Sequence, residues 1–308
     1  MKINKNILLH ITVVLFCYTC AENIVDPTSN DQLYRFTAVE ENLDIVTWNI
    51  EHFPKTHNTV TYLTDLMKSI NVDIFALQEI ESLDSLNALK NNLGDNWVAY
   101  RAPGDSYYGN LAYLINTASI TPIGVYNVLD SNDELLFNYR LPYVLEFSFQ
   151  GENFVLINVH LKCCGDGLLN LNDNNDEENL RYNTLELLND YIETEYATDN
   201  LLIVGDFNDT FELPTNEHDV FISLINSNKG YVFTDDEIAF GSTNFWSYPE
   251  WPSHIDHIII SDEIYNNFYY DTQTLLLEYA LPKGLIDYYN FLSDHRPLVI
   301  TLNIPDTF

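Results

Sequence analysis

Acids, amides and imidazoles recur along this chain where apolar runs end. They stand in six groups: Trp48-Asn49, Leu77-Gln78-Glu79, Asn158-Val159-His160, Gly205-Asp206-Phe207-Asn208, His254-Ile255-Asp256-His257 and Ser293-Asp294-His295-Arg296-Pro297. Hydrolysis of a phosphate ester needs groups of these types: charge must be neutralised on the phosphoryl oxygens, a water oriented and the leaving oxygen stabilised. Glu79 and Asp294, with the Asn49 amide nearby, suit Mg2+ or Mn2+, since a hard cation takes one or two carboxylates and keeps several waters. Asp206 and Asn208 are two apart on one strand end and share a side-chain sense, so both are expected to address one water. His295 is the candidate donor or acid-base group, with Asp256 as the carboxylate that orients its ring. His160 is the second imidazole.

Such groups need rigid elements to hold them. Leu43-Asp44-Ile45-Val46, Val72-Asp73-Ile74-Phe75-Ala76, Phe154-Val155-Leu156-Ile157, Leu201-Leu202-Ile203-Val204 and Ile258-Ile259-Ile260 are apolar and β-branched, as buried strands are. The polar residues therefore fall where strands give way to loops, the usual place for a site on a rigid scaffold. Val60 to Ile70, with Leu63, Leu66, Met67 and Ile70 at helical spacing, predicts a helix between the first two strands, and Ser82 to Leu93 a second. Strands are expected over Trp97 to Arg101, Leu111 to Ile115, Arg140 to Phe149 and Phe154 to His160. A third helix, Glu178 to Tyr196, is expected to bury Leu180, Thr184, Leu187, Leu188 and Tyr191. Two groups of strands with helices between them suit two sheets packed face to face under outer helices.

In this order, the six groups resemble the endonuclease/exonuclease/phosphatase superfamily, which includes deoxyribonuclease I, abasic-site endonucleases, inositol-phosphate phosphatases and bacterial sphingomyelinases. The resemblance runs from about Leu43 to Asn303. It implies an α/β fold, the four-layer α/β/β/α sandwich of the deoxyribonuclease I type, with the site at one edge. It also implies that Asp206 takes a proton from water while Asn208 positions that water and donates to a phosphate oxygen. Tyr108-Gly109 resembles the Tyr-Gly of abasic-site endonucleases, where the Tyr touches the phosphate. Asn110 stands where deoxyribonuclease I places a Glu beside its His, so that acid pair is not reproduced. Arg181 occupies the place of an Arg that reaches a phosphate in many relatives; a salt bridge to the acidic loop Asp173 to Glu178 is the alternative. Trp246, Tyr248 and Trp251 precede Asp256 and offer a platform for a base, sugar or head group, or packing beneath the site. His257 replaces the Arg of the inositol polyphosphate 5-phosphatase block, which argues against a specialised inositide enzyme. The favoured reading is a nuclease or phosphodiesterase, then a phosphomonoesterase or phospholipid head-group esterase, then a non-catalytic binding module.

Composition narrows the partners. The chain has 308 residues, 46% of them hydrophobic, and no linker or internal repeat, so one catalytic domain over 43–308 is expected, acting as a monomer. Lys and Arg number 13 against 46 Asp and Glu, a net charge of −33, which removes any general attraction for a polyanion such as nucleic acid. Lys2 and Lys5 before the run Ile7 to Phe16 fit a secretory signal over 1–20. Cys20 sits where a lipoprotein signal carries its acylated cysteine, residues 21–42 read as a tether, and cleavage after Ala21 is the competing outcome. Export follows, to the outer membrane or cell surface through a lipid anchor, or into the medium. Cys163 and Cys164 are sequence neighbours that would form only a strained disulfide, and a catalytic thiol there is not expected. A structural Ca2+ is a further candidate cofactor, although the loop Asp173 to Glu178 lacks the Gly of an EF-hand and reads as a solvated turn.

Overall fold

The computed structural model describes residues 36–104, 109–130, 133, 135–211 and 219–304. The expected signal, Cys20 and most of the expected tether lie outside these residues. Twelve strands form two six-stranded sheets. The first contains β1 (Asn42–Phe53), β2 (Ile74–Ile80), β3 (Trp97–Arg101), β4 (Asn110–Asn116), β11 (Tyr269–Thr274) and β12 (Leu298–Asn303), in the order β11-β12-β1-β2-β4-β3. The second contains β5 (Thr121–Asn127), β6 (Tyr143–Phe149), β7 (Glu152–His160), β8 (Asn200–Asp206), β9 (Val232–Phe233) and β10 (Asp256–Ile260), in the order β5-β6-β7-β8-β10-β9. β1 and β2 run parallel, as do β7 and β8, and each parallel pair is joined through a helix.

The long apolar runs are explained by burial on both faces. In β1, Ile45 points between the sheets with Ile74, Tyr113, Leu145, Leu156, Val204 and Ile258, while Val46 and Trp48 point outward. The outward side is covered by α1 (Thr59–Ile70), α2 (Leu83–Leu93) and, later in the chain, the helix Leu285–Phe291. Leu63, Leu66, Met67 and Ile70 of α1 supply its buried stripe, and Asn71 ends it in the left-handed conformation at φ 51°. Ser82 caps α2 by accepting from the Ser85 N–H. On the second sheet, α3 (Glu177–Glu195) covers Val155, Ile157, Leu201 and Ile203. The result is helices, sheet, sheet, helices, the four layers expected from the resemblance.

Three expectations shift. β6 begins at Tyr143, three residues after the predicted start. The buried face of α3 is turned: Arg181, Thr184, Leu185, Leu188 and Ile192 lie inward, while Leu187 and Tyr191 are only partly covered. β9 and β12 were not foreseen, and neither were two further strands, β5 and β11. Both are edge strands with mixed exposure, and β5 carries Pro122 and Gly124, so neither has the apolar signature of its neighbours.

Candidate active site

The polar ends of six strands converge because the two sheets meet there through buried side-chain bonds. Gln78 of β2 donates to Asn158 Oδ1 on β7 at 2.8 Å and to Thr47 Oγ1 at 3.1 Å, while Asn158 donates to the Leu77 and Ala112 carbonyls. Asn49 of β1 reaches across in the same way, its Nδ2 donating to Asp206 Oδ2 at 3.0 Å and to Glu79 Oε1 at 3.2 Å. These bridges fix the C-terminal ends of β1, β2, β7 and β8 on one edge.

Local backbone irregularities aim the acids into that edge. The β1–β2 pairing slips between Asn49 and Phe53, and the β2–β4 pairing slips between Leu77 and Ile80. Glu79 consequently adopts φ 64°, costly for a non-glycine residue and common where side chains are re-aimed at a site. Its Oε2 accepts from the His52 N–H at 2.9 Å. Gly109 passes so close that a Cβ there would lie 2.5 Å from the Glu79 carbonyl carbon. Gly205 has φ 145°, and a Cβ on it would lie 2.0 Å from the Val159 carbonyl oxygen, so only glycine lets β8 draw up to β7 immediately before Asp206.

One half of the site is an acid-base cluster. His295 Nδ1 bonds Asp256 Oδ2 at 2.7 Å, and its Nε2 faces Asp206 Oδ2 at 3.8 Å and Asp294 Oδ1 at 3.9 Å. His160 Nε2 lies 3.4 Å from the same Asp206 oxygen. Burial alone would lower the His295 pKa, but Asp256 and then Asp206 overcome it and hold the ring cationic well above its ordinary range. Burial pushes Asp206 up to about 7, against the pull of His295 and with help from Asp256. His160 goes the other way: burial, then Arg140 and His295, lower it well below the ordinary value. Its Nδ1 is buried with no partner among the described residues, which favours the neutral ring protonated on Nε2, because an unpaired N–H is costlier than an unpaired lone pair. Ser293 holds the loop bearing these groups: its hydroxyl donates to the Asn49 carbonyl at 2.6 Å and accepts from the His295 N–H.

The other half is acidic. Beside the partly exposed Asp294 lies Glu51, whose pKa is raised by burial and by Asp294, with Lys55 as its ion-pair partner, and Asn49 ties Glu79 to the same strand end. Three carboxylates sharing one edge fit a hard divalent cation by donor type and charge. Asn49 uses both ends of its amide on protein, the oxygen accepting from the Glu51 N–H, and so orients the carboxylates beside it. By contrast, of Asp206, Asp256 and His295, mutually within ligand reach, His295 is hydrogen-bonded to Asp256 and Asp206 accepts from Asn49, an arrangement that suits proton chemistry.

The sequence pattern of the Endonuclease/Exonuclease/phosphatase family matches residues 46–295, which span the first five motifs and Ser293-Asp294-His295 of the sixth. The chain belongs to that family. It is a hydrolase of phosphate esters, and its fold is shared by solved relatives. D. rerio TDP2 complexed with a single-strand DNA product matches with a TM-score of 0.64 at 14% identity, covering 85% of this chain and 99% of that one. The catalytic domain of human Nocturnin with a bound sulfate matches at 0.62 and 16%, covering 87% and 96%. An endonuclease/exonuclease/phosphatase from Bacteroides vulgatus matches at 0.57 and 13%, covering 86% and 99%. No curated protein matches the sequence.

Within this phosphoesterase, the remaining predicted residues are placed unequally. β8 ends at Asp206, and Asn208 takes φ 54°, so strand alternation no longer governs it. Its N–H donates to Asp206 Oδ1 in an Asx-turn and its Nδ2 to the Leu161 carbonyl. Arg181 does not reach out to a phosphate. It is 2% exposed, pairs with Asp209 at 2.8 Å and Glu178 at 3.2 Å, and donates to the Lys162 and Cys164 carbonyls. The acidic partners outcompete a distant anion, as the salt-bridge alternative anticipated. Asn110 turns its amide onto the carbonyls of Ala102, Pro103 and Gly104. Tyr108 lies outside the described residues. Trp251 is 73% exposed at a turn, and Trp246 donates its indole N–H to the Ile238 carbonyl. Tyr248 is the aromatic at the centre, its ring 4.9 Å from that of His295. Cys164 and Cys163 form no disulfide, the Cys164 thiol donating to Cys163 Sγ at 2.8 Å, and burial pushes the Cys163 thiol up to about 11, away from nucleophilic use.

Sequence reasoning did not single out Glu51 or the bridging roles of Gln78 and Asn158. The last two were within the motifs, and a buried amide at a strand end was the available signal. His257, which stands in place of the Arg of the inositol polyphosphate 5-phosphatase block, is enclosed: Nδ1 bonds Asp235 at 2.7 Å and Nε2 donates to the Asp209 carbonyl at 3.0 Å. Asp235 also binds His254 at 2.8 Å, and its carboxyl is held well below the usual range because the two histidines outweigh its burial. This trio braces the segment after Asp206 from below.

Proposed function

We propose that this phosphoesterase is a metal-dependent phosphodiesterase that cleaves nucleic acid by activated water. The observation that carries the reading is the opposed pair of buried groups: Asp206, a carboxyl poised near neutrality, against a cationic His295 oriented by Asp256. Mg2+ or Mn2+ held by Glu79 and Asp294 would supply charge neutralisation on the phosphoryl oxygens. Asp206 accepts the proton of the attacking water through Oδ2, which Asn49 keeps in place. His295 donates from Nε2 to a phosphoryl oxygen as negative charge grows, and its other nitrogen is locked by Asp256. His160, neutral, offers its Nε2 proton beside Asp206. Asn208, fixed by its turn, leaves its amide oxygen to orient the water.

A flexible or single strand suits the site better than a stiff duplex. Tyr248 and exposed Trp251 can stack unpaired bases, whereas a net charge of −33 gives little hold on a duplex backbone. The D. rerio TDP2 structure holds a single-strand DNA product, which is consistent with that class of substrate. The test is a panel of single- and double-stranded DNA, RNA, a bis-nitrophenyl phosphodiester, a nitrophenyl phosphomonoester, inositol phosphates and sphingomyelin. Diester cleavage should exceed monoester cleavage, vanish with chelator and return with Mg2+ or Mn2+. Preference for monoesters or sphingomyelin would overturn the substrate assignment, and full activity in chelator would overturn the metal. Lys2, Lys5, the Ile7 to Phe16 run and Cys20 support export with acylation at Cys20. Membrane fractionation of wild type and release of Cys20→Ser would bear this out, and wild-type protein found wholly in the medium would refute it.

A further inference from the structure

The loop between His160 and α3 gathers a second set of acids away from the strand-end site. One ligand oxygen from each of Asp166, Asp176 and Glu178 lies within 4.8 Å of the other two. Each carboxylate spends one oxygen on shaping the loop. Asp166 Oδ1 accepts from the Leu168 N–H, Asp176 Oδ1 from Asn170 and Asn179, and Glu178 Oε1 from Gly167. The second oxygens of Asp166 and Asp176 accept nothing among the described residues. Glu178 is only 2% exposed, yet its Oε2 is buried without a partner among them. A buried carboxylate oxygen with no donor is unfavourable unless something else fills its lone pairs.

The backbone is shaped around that carboxylate as well. Gly165 sits at φ 110°, and a Cβ there would come within 2.2 Å of Glu178 Oε1 and 2.5 Å of Oε2, so glycine permits the loop to close over it. Among the described residues Arg181 is the one cation paired with the trio, and it is shared with Asp209. Three clustered carboxylates in a chain of net charge −33 therefore lack one positive partner of their own. An ammonium would need space for a side chain. A bare cation needs only the oxygens.

We propose that Asp166, Asp176 and Glu178 form a Ca2+ site that closes the loop 165–178 onto α3. Ca2+ fits better than Mg2+: an irregular loop rich in carboxylates, with exposed Asp166 as the entry, matches an ion that takes six to eight oxygens in flexible geometry at about 2.3–2.6 Å. Water and loop oxygens complete the shell. Through Glu178 the ion also steadies Arg181, which links the loop to Asp209, next to Asn208. The site is thus structural, and separate from the ion that serves hydrolysis.

Calorimetric titration of chelator-treated mature protein with Ca2+, in excess Mg2+ to fill the hydrolytic site, tests the assignment. One Ca2+ per chain should bind, and the melting temperature should rise by on the order of a few degrees. Asp166→Asn should weaken binding about tenfold or more and Glu178→Gln further, with the thermal shift lost in step. Glu79→Gln, which cripples the proposed hydrolytic metal site, should bind this Ca2+ as wild type does. Absence of Ca2+ binding in excess Mg2+, or wild-type affinity in Asp166→Asn, overturns the site. Asp166 is exposed, so that variant folds even if Glu178→Gln does not.

Discussion

Replacing Asp256 with Asn tests the acid-base half of the site with one atom changed. Asp256 Oδ2 lies 2.7 Å from His295 Nδ1, both groups are at least nine-tenths buried, and Asp256 is the leading influence that keeps the ring cationic against burial. A hydrogen bond to a charged group contributes about 1.5–3 kcal/mol, and losing it lowers the His295 pKa. Burial then counts for more against the remaining pull of Asp206 and Asp294, and the cationic ring is disfavoured. Loss of a positioned transition-state donor should lower kcat by about 10²- to 10³-fold, with KM changed much less. The pH profile carries the diagnostic. In the wild type the alkaline limb of kcat lies well above the ordinary histidine range, and in Asp256→Asn it should move to lower pH. Stability should follow with the sign set by linkage. A raised folded-state pKa stabilises fully below the unfolded value, and this contribution is lost as pH rises through the folded value, so the variant's deficit should be largest in acid and shrink toward alkaline pH. Steady-state hydrolysis of a bis-nitrophenyl phosphodiester across pH, with urea unfolding at matched pH, measures both. An unmoved alkaline limb with kcat within about threefold of wild type would refute the role given to the pair.

Other expectations rest on separate features. Asp206→Asn should lower kcat about a hundredfold or more and abolish the acidic limb near pH 7, where the wild-type carboxyl must lose its proton to act as base; an unchanged limb in the variant would assign it elsewhere. Gly205→Ala should destabilise by several kcal/mol, about 3 or more, because its Cβ would meet the Val159 carbonyl at 2.0 Å, and a normal urea midpoint would show that the strands can part without cost. Gln78→Leu should cost about 2–3 kcal/mol by stranding Asn158 and Thr47 between the sheets, read as a lower thermal midpoint.

Much of the scaffold was legible in the chain because burial on both faces leaves an unmistakable mark. Runs such as Leu201-Leu202-Ile203-Val204 read as buried strands, and α1 announces itself by Leu63, Leu66, Met67 and Ile70. The edge strands β5 and β11 leave no such mark, since half their residues face water and backbone pairing alone defines them. Arg181 illustrates the same limit at the site: its sequence place permits a phosphate role, but Asp209, 28 residues later, decides where the guanidinium goes.

The sequence by itself determined the identity and order of the chemical groups, and with them the family, because acids, amides and imidazoles at the ends of apolar strands are a local pattern. What each group does was decided by tertiary contacts. Asn49 reaches Asp206 across 157 residues of chain and Glu79 across 30, and Ser293 ties His295 to β1 across 244. The pKa of Asp206 depends on burial, His295 and Asp256, none of which is its sequence neighbour. Bulges in two paired strands turn Glu79 inward at φ 64°, a conformation that only the surrounding sheet and the close pass of Gly109 can impose. Electrostatics and register act through space, between residues that the linear chain keeps far apart.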